Sequence, residues 1–305
     1  MPDKKTLLVT YAALLIAVVG WGSSFVATKV ALETLRPTSL VFFRLAAAAI
    51  FFFVLVRLRH VPRPPRRDLL RLVMLALFEP VLYFLLETQG LALTSASSGA
   101  LVIAAVPVFV ALFARLFLSE RMRALGWIGT AISIAGVVLL VLGDDNPDYS
   151  ATSVWGNLLV LGAALSASGY IVLARSLSGR THPLQISFFQ MLVGALCFTP
   201  LFAYNTVATG LPVFTPAVAW ALVFLTLVAT IAAFLCYNYA LSQIPAAKAA
   251  VFLNGIPLVT AVVAAIILGE ELTWLQAGAG LVIIVGVVMA GVRRRGRQAA
   301  PVATQ

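Results

Sequence analysis

The sequence predicts an all-α polytopic membrane protein, with ten transmembrane helices arranged as two inverted five-helix repeats. Three observations carry this prediction. Hydrophobic residues make up 62% of the 305-residue chain and charged residues only 10%, against about 25% charge in an ordinary soluble domain. The apolar runs are long and lack the alternation of a barrel strand, so helices are left to satisfy the backbone in lipid. The chain also contains itself twice. Pro107 to Glu120 reads PVFVALFARLFLSE, and Pro257 to Glu270 reads PLVTAVVAAIILGE. Gly136-Val137-Val138 falls where Gly286-Val287-Val288 falls, PTSLVFFRLAAA from Pro37 resembles PLQISFFQMLVG from Pro183, and Lys29 aligns with Arg175.

Ten apolar stretches have the length of about 20 residues that a span needs: 8–30, 37–56, 69–90, 96–117, 123–142, 154–174, 183–204, 216–240, 246–268 and 273–292. The first is too long for a cleavable signal peptide, and no small-residue cleavage site follows it. Residues 1–145 hold the first five-helix repeat and 146–305 the second, linked by the acidic stretch Asp144 to Ser153. An odd number of spans per repeat inserts the second copy upside down. In secondary transporters such inverted repeats exchange roles and open a central site to either side.

Charge sets the orientation. Lys4, Lys5, Arg57, Arg59, Arg63, Arg66, Arg67, Arg71, Arg121, Arg123, Arg180 and Arg293 to Arg295 with Arg297 all fall on one side of the ten spans. Asp144, Asp145, Asp148, Glu270 and Glu271 fall on the other, with Arg36 as the contrary residue. The positive-inside rule therefore places both termini of this multi-pass protein in the cytoplasm, and the expected location is the bacterial inner membrane. The same pattern explains the net charge of +10 without a nucleic-acid partner, since the arginines flank spans and leave no room for a binding module. Cys197 and Cys236 lie inside spans, and the two histidines lie in cytoplasmic loops. Neither a disulfide framework nor a metal site is expected, and no Walker A sequence is present. No cofactor is implied, and the absence of a nucleophile–base constellation at depth argues against an enzyme.

Polar groups at depth mark the candidate site, because each ionisable group there costs about 2.5–3.5 kcal/mol on insertion scales. In the third span Glu79, Tyr83 and Glu87 share one helical face. Pro80 follows Glu79 and should bend the helix and free backbone carbonyls. That stripe reads as one wall of a polar cavity; the alternative is a protonated Glu79 packed in an interface, with Glu87 reaching water. Arg44 in the second span is either a structural ion pair with Glu79 or Glu87, or a substrate contact. Its repeat counterpart is Gln190, so the charge is not required by the twofold architecture. Trp21 and Ser24 lie in a mid-span Gly-Trp-Gly-Ser-Ser run and read as cavity lining, the alternative being a helix-packing notch filled by the indole; Tyr170 matches them in the sixth span. Trp127, Trp155, Trp220 and Trp274 stand at span starts and read as interfacial anchors. Tyr237, Asn238 and Asn254 add polar groups in the eighth and ninth spans, and Pro107 and Pro257 are equivalent helix breaks. Lys248 either snorkels to the cytoplasmic surface or meets a carboxylate from inside. With Arg44 and Glu87 it is a candidate for coupling or gating. Glu120 and Glu270 read as structural, each placed before the helix that follows it.

The Gly-Trp-Gly-Ser-Ser motif, the Phe-Phe-Arg of the second span and the doubled Pro-to-Glu pattern resemble the drug/metabolite transporter superfamily, in particular its ten-helix EamA-type branch and within that the YddG-type amino-acid exporters. The resemblance covers nearly the whole chain, and its motifs are short and apolar. It implies export of small organic solutes through a central cavity lined chiefly by the first, third, fourth, sixth, eighth and ninth helices. Arg44, on the second, falls outside that set. The expected function is alternating-access export of a small-molecule metabolite, an aromatic or otherwise neutral amino acid being favoured. A multidrug or cationic-compound exporter is the alternative. The expected partners are the substrate and the lipid bilayer, with the chain acting as monomer or homodimer.

Overall fold

Proline opens the second, seventh and eighth helices at Pro37, Pro183 and Pro216, where its missing N–H costs nothing and its fixed φ suits the first turn. In the computed structural model, which describes residues 4–117, 124–142, 151–177, 179–244 and 246–291, every expected span is helical. Span 1 is Lys4–Leu32, span 2 Pro37–Leu58 and span 3 Arg66–Leu93. Span 4 is made of Ala96–Ile103 and Val106–Phe117, and span 5 is Ala124–Leu142. The second repeat repeats the order. Span 6 is Ala151–Leu177, span 7 Pro183–Thr209 and span 8 Pro216–Gln243. Span 9 is Ala246–Phe252 continued by Ile256–Ile267, and span 10 is Trp274–Gly291. Among the described residues, eight of these are long and apolar enough to cross a membrane, and spans 5 and 10 carry the apolar stretches Trp127–Leu139 and Trp274–Gly286. The four candidate anchors Trp127, Trp155, Trp220 and Trp274 all face outwards.

The repeat in sequence becomes a twofold arrangement in space. Spans 5 and 10 cross at Gly136 and Gly286, the two glycines that the duplicated Gly-Val-Val motif brings into register. A Cβ on Gly136 would lie 2.9 Å from the Ile283 backbone N, and one on Gly286 would lie 2.6 Å from the Gly129 carbonyl. Spans 3 and 8 both contain π-helical segments, Leu77–Leu82 and Leu225–Ala232, and span 3 is kinked there at Glu79. Spans 4 and 9 are both interrupted. Span 4 turns at Ala104 and Ala105 and restarts with Pro107 in its new first turn. Span 9 tightens into a 3₁₀ turn at Leu253–Gly255 and restarts with Pro257. The two prolines thus begin half-helices, a placement in which the ring fits.

Polar ties hold the bundle at each end. At the end where span 1 finishes, Lys29 Nζ donates to the Leu91 and Thr94 carbonyls at the close of span 3, at 3.1 and 2.9 Å. At the opposite end Arg175 donates to the Leu241 carbonyl at the close of span 8, at 2.7 Å. Lys29 and Arg175 are the basic pair aligned by sequence, and their acceptors are equivalent too. In both repeats a cation satisfies carbonyls orphaned at a helix C-terminus. Buried Asp68 pairs with Arg71 and Arg180 at 3.7 and 3.9 Å.

Glu270 corrects an expectation. Its carboxylate does serve a helix N-terminus, but the helix is span 4 of the other repeat rather than span 10 which follows it. The Ala96 and Ser97 N–H groups each donate to it at 3.0 Å. Gly269, with φ +66°, makes the turn that delivers it. The reason lies in the packing: span 9 runs beside the first half of span 4, so its end reaches that helix start before span 10 begins. Glu120 lies outside the described residues.

Candidate functional site

Between the repeats lies a narrow cavity lined by residues of both. Trp21 and Ser24 come from span 1, Arg44 from span 2, and Glu79, Tyr83, Phe84 and Glu87 from span 3. Ile103 and Val106 flank the break in span 4, Tyr170 comes from span 6, Tyr237 from span 8, and Leu253 and Ile256 from the break in span 9. Its room corresponds to roughly two or three water molecules.

The bend in span 3 builds the acidic wall. Glu79 leaves helical geometry, with φ −147° and ψ 115°, and the Glu79–Pro80 peptide is cis. The carbonyls released there are taken by the second repeat. Ser166 Oγ donates to the Phe78 carbonyl at 2.6 Å, and Gln190 Nε2 donates to the Glu79 carbonyl at 3.0 Å. The π-helical segment of span 8 is served from the first repeat, where Trp21 Nε1 donates to the Ala229 carbonyl at 3.0 Å. Broken helices of this kind are tolerated at membrane depth because side chains re-satisfy the backbone.

Arg44 requires a correction. It forms no ion pair with Glu79 or Glu87, neither carboxylate lying within 4.0 Å of its nitrogens among the described residues. Its Nε donates to Thr230 Oγ1 in the π-helical segment of span 8 at 2.9 Å, and its guanidinium lies 4.2 Å from the centroid of the Phe84 ring. The residue that pins it comes from the opposite repeat, because span 2 packs against that segment of span 8. Although span 2 is not among the helices the resemblance implied as lining, Arg44 faces the cavity and is only 1% exposed. Glu79 and Glu87 are buried too. The Thr88 hydroxyl donates to Glu87 Oε2 at 3.1 Å, whereas the Glu79 carboxylate has no hydrogen bond among the described residues.

The aromatic wall is continuous. Trp21 lies 5.0 Å from Tyr237 and 5.3 Å from Phe234 between ring centroids, in tilted and edge-on geometries. Phe234 also neighbours Tyr170 and Phe84, each at 6.3 Å. The Tyr237 hydroxyl is buried without a hydrogen-bond partner among the described residues.

Asn238 and Asn254 are not on the cavity wall. Asn238 stands behind it, accepting from the Tyr170 hydroxyl at 2.7 Å and donating to Ser187 at 3.0 Å and Gln190 at 2.9 Å. Its amide is fully engaged in positioning Tyr170 and Gln190. Asn254, in the 3₁₀ turn of span 9, buries its Oδ1 without a partner among the described residues. The side chain of Lys248 lies outside the described residues. Sequence reasoning missed Phe84 beneath Arg44, Thr230 beside it, and the Gln190–Asn238–Tyr170 chain. Only the pairing of Arg44 with Gln190 in the repeat pointed towards them.

The profile of the EamA-like transporter family matches residues 8–142 and again 154–292. The chain belongs to the EamA-like transporter family. It is therefore a multi-pass membrane transporter and not an enzyme. It is 29% identical to the uncharacterized transporter YcxC of Bacillus subtilis, over 88% of each chain. It is 29% identical to a probable terminal-alkyne amino-acid exporter of Streptantibioticus cattleyicolor, over 94% of each chain. It is 26% identical to the uncharacterized inner membrane transporter YedA of Escherichia coli, over 93% of this chain and 91% of that one. A solved crystal structure with 19% sequence identity covers 95% of this transporter and 97% of its own chain, with a TM-score of 0.66. It shares the fold of the two repeats.

Proposed function

We propose that this transporter exports small organic metabolites, with aromatic and other neutral amino acids as the favoured class, by alternating access through the central cavity. The observation that carries this reading is the cavity itself. It sits where two inverted repeats meet, at interrupted helices, and it combines a buried arginine and two buried acids with a wall of aromatic rings. The relative in Streptantibioticus cattleyicolor named as a probable amino-acid exporter supports the same class. Glu79 would meet an ammonium group or exchange a proton, and Trp21, Tyr83, Tyr170 and Tyr237 would supply apolar and cation–π contact.

The same reading places the protein in the bacterial inner membrane with both termini in the cytoplasm and puts the boundary between repeats at residues 145 and 146. A single chain surrounds the cavity, so one copy suffices as the transporting unit. Two carboxylates on an aromatic wall favour a second reading, export of cationic compounds. The deciding experiment is release of a panel of labelled amino acids from proteoliposomes, with and without a pH gradient. Release of a defined subset supports amino-acid transport. Failure of every member, from folded protein that releases a lipophilic cation, favours the second reading.

A further inference from the structure

The unpaired charges in the cavity lead further, on the reading that the substrate is an amino acid. A buried arginine held for structure alone would ordinarily be matched by a carboxylate, because leaving such a charge uncompensated is costly. Arg44 makes no such contact: Glu87 and Glu79 act on it only from beyond ion-pair distance among the described residues. Its Nε is committed to Thr230, whose hydroxyl is in turn anchored to the Leu225 carbonyl at 2.8 Å. One face of the guanidinium rests on Phe84. The remaining N–H groups, on the planar edge that recognises a carboxylate in bidentate fashion, have no partner among the described residues. On the same cavity the Glu79 carboxylate is equally without a partner, while Glu87 holds the Thr88 hydroxyl. An arginine and an acid that line one narrow cavity, yet stay beyond ion-pair distance, are placed to meet the two ends of a molecule that bears both charges.

We propose that Arg44 and Glu79 form a two-point site for a zwitterion, Arg44 taking the α-carboxylate and Glu79 the α-ammonium, with the side chain directed to the aromatic wall of Trp21 and Tyr237. Arg44 is then the residue that distinguishes an amino acid from its decarboxylated amine. Glu79 distinguishes it from the corresponding acid without an amino group.

The test uses the full-length protein in proteoliposomes. Exchange of labelled L-phenylalanine is competed with unlabelled L-phenylalanine, 2-phenylethylamine and 3-phenylpropionate, and labelled L-leucine serves as a second probe. The amine and the acid should each need at least about tenfold higher concentration than L-phenylalanine, since a truncated partner leaves a buried charge unmet. Arg44→Gln should erase the preference for L-phenylalanine over 2-phenylethylamine, and Arg44→Lys should restore part of it. The analogue series on the unaltered protein decides the matter even if a variant fails to fold. Competition by 2-phenylethylamine equal to that by L-phenylalanine would overturn the zwitterion site while leaving a transporter of amines standing. A tenfold preference retained in folded Arg44→Gln would overturn the role of Arg44. Exchange of neither amino acid would remove the amino-acid reading and this site together.

Discussion

Span 3 and span 8 occupy equivalent places in the two repeats, and both contain π-helical segments, yet what they show the cavity is different. Where span 3 has Glu79, Tyr83 and Glu87, span 8 has Ala229, Ala233 and Tyr237. Phe84 and Phe234, at matching positions, are both buried and meet across the pseudo-twofold axis. Arg44 of span 2 is matched by Gln190 of span 7. The π-helical segment and the phenylalanine are shared; among the described residues, the arginine and the acids that line the cavity all belong to the first repeat. The carbonyl that Gln190 serves lies in the acidic segment, and the hydroxyl that Arg44 uses lies in the neutral one. The architecture needs two similar halves so that either can take the opposite role. A small substrate has no twofold symmetry and binds once, so its recognition groups need to appear only once.

The largest expected effect tests this division directly. Truncating a charge contact costs about 2–5 kcal/mol, so Glu79→Ala should reduce amino-acid efflux from proteoliposomes by about thirtyfold or more. The protein should remain monodisperse in detergent. Ala at Asn238, behind the wall of the second half, should instead lower thermal stability, because it strips partners from Tyr170 and Gln190. Unchanged efflux by Glu79→Ala would remove the acid from the site and with it the contrast between halves.

Next in size are the shared features. Overpacking a tight contact costs about 1–3 kcal/mol. Gly136→Val and Gly286→Val should each lower the melting temperature, Gly286→Val by more, because an added Cβ there meets the Gly129 carbonyl at 2.6 Å while one at Gly136 comes no nearer than 2.9 Å to its neighbours. Gly278→Ala should be within about 0.5 kcal/mol of the parent, since nothing lies within 4 Å of an added Cβ there. A larger loss at Gly136 than at Gly286 would show that the 5–10 crossing does not pack as its geometry indicates. Glu270→Ala should cost about 0.5–2 kcal/mol, the usual value of a lost helix cap. It should be read as a fall in thermal stability that Glu270→Asp partly restores.

Much of this comparison was legible before any coordinates. The fold followed from hydropathy, and the repeat followed from motifs whose residues sit where the halves touch: Gly136 and Gly286, Pro107 and Pro257, Lys29 and Arg175. Glu79, Tyr83 and Glu87 were legible because helical periodicity links neighbours on one helix. What was not legible are the contacts between distant helices. Nothing in the sequence says that Arg44 chooses Thr230 over a glutamate, or that Asn238 is used up by Tyr170, because those depend on how spans 2, 7 and 8 approach. Glu270 shows the same limit. Its chemistry was read correctly and its helix was not, because a side chain at a loop reaches whichever helix start is nearest in space.

The smallest expected effect is the most discriminating about symmetry. Lys29 and Arg175 each tie a helix end, one at the close of span 3 and the other at the close of span 8. In the proposed orientation the first contact lies at the extracytoplasmic side and the second at the cytoplasmic side. Each would belong to the state in which its own side is closed. Removing Lys29 should therefore favour opening to the outside, and removing Arg175 should favour opening to the inside. Both groups are only partly buried, so each contact is worth about 1 kcal/mol, or about fivefold in the ratio of the two states. The measurement is labelling of Ser24→Cys, on the cavity wall, by an impermeant maleimide added from outside, with Cys197 and Cys236 replaced by serine. Lys29→Met should label faster than the parent and Arg175→Met more slowly. A shift of both in the same direction would mean that the paired cations only hold helix ends together, and that the two ends of the bundle are not exchanged during transport.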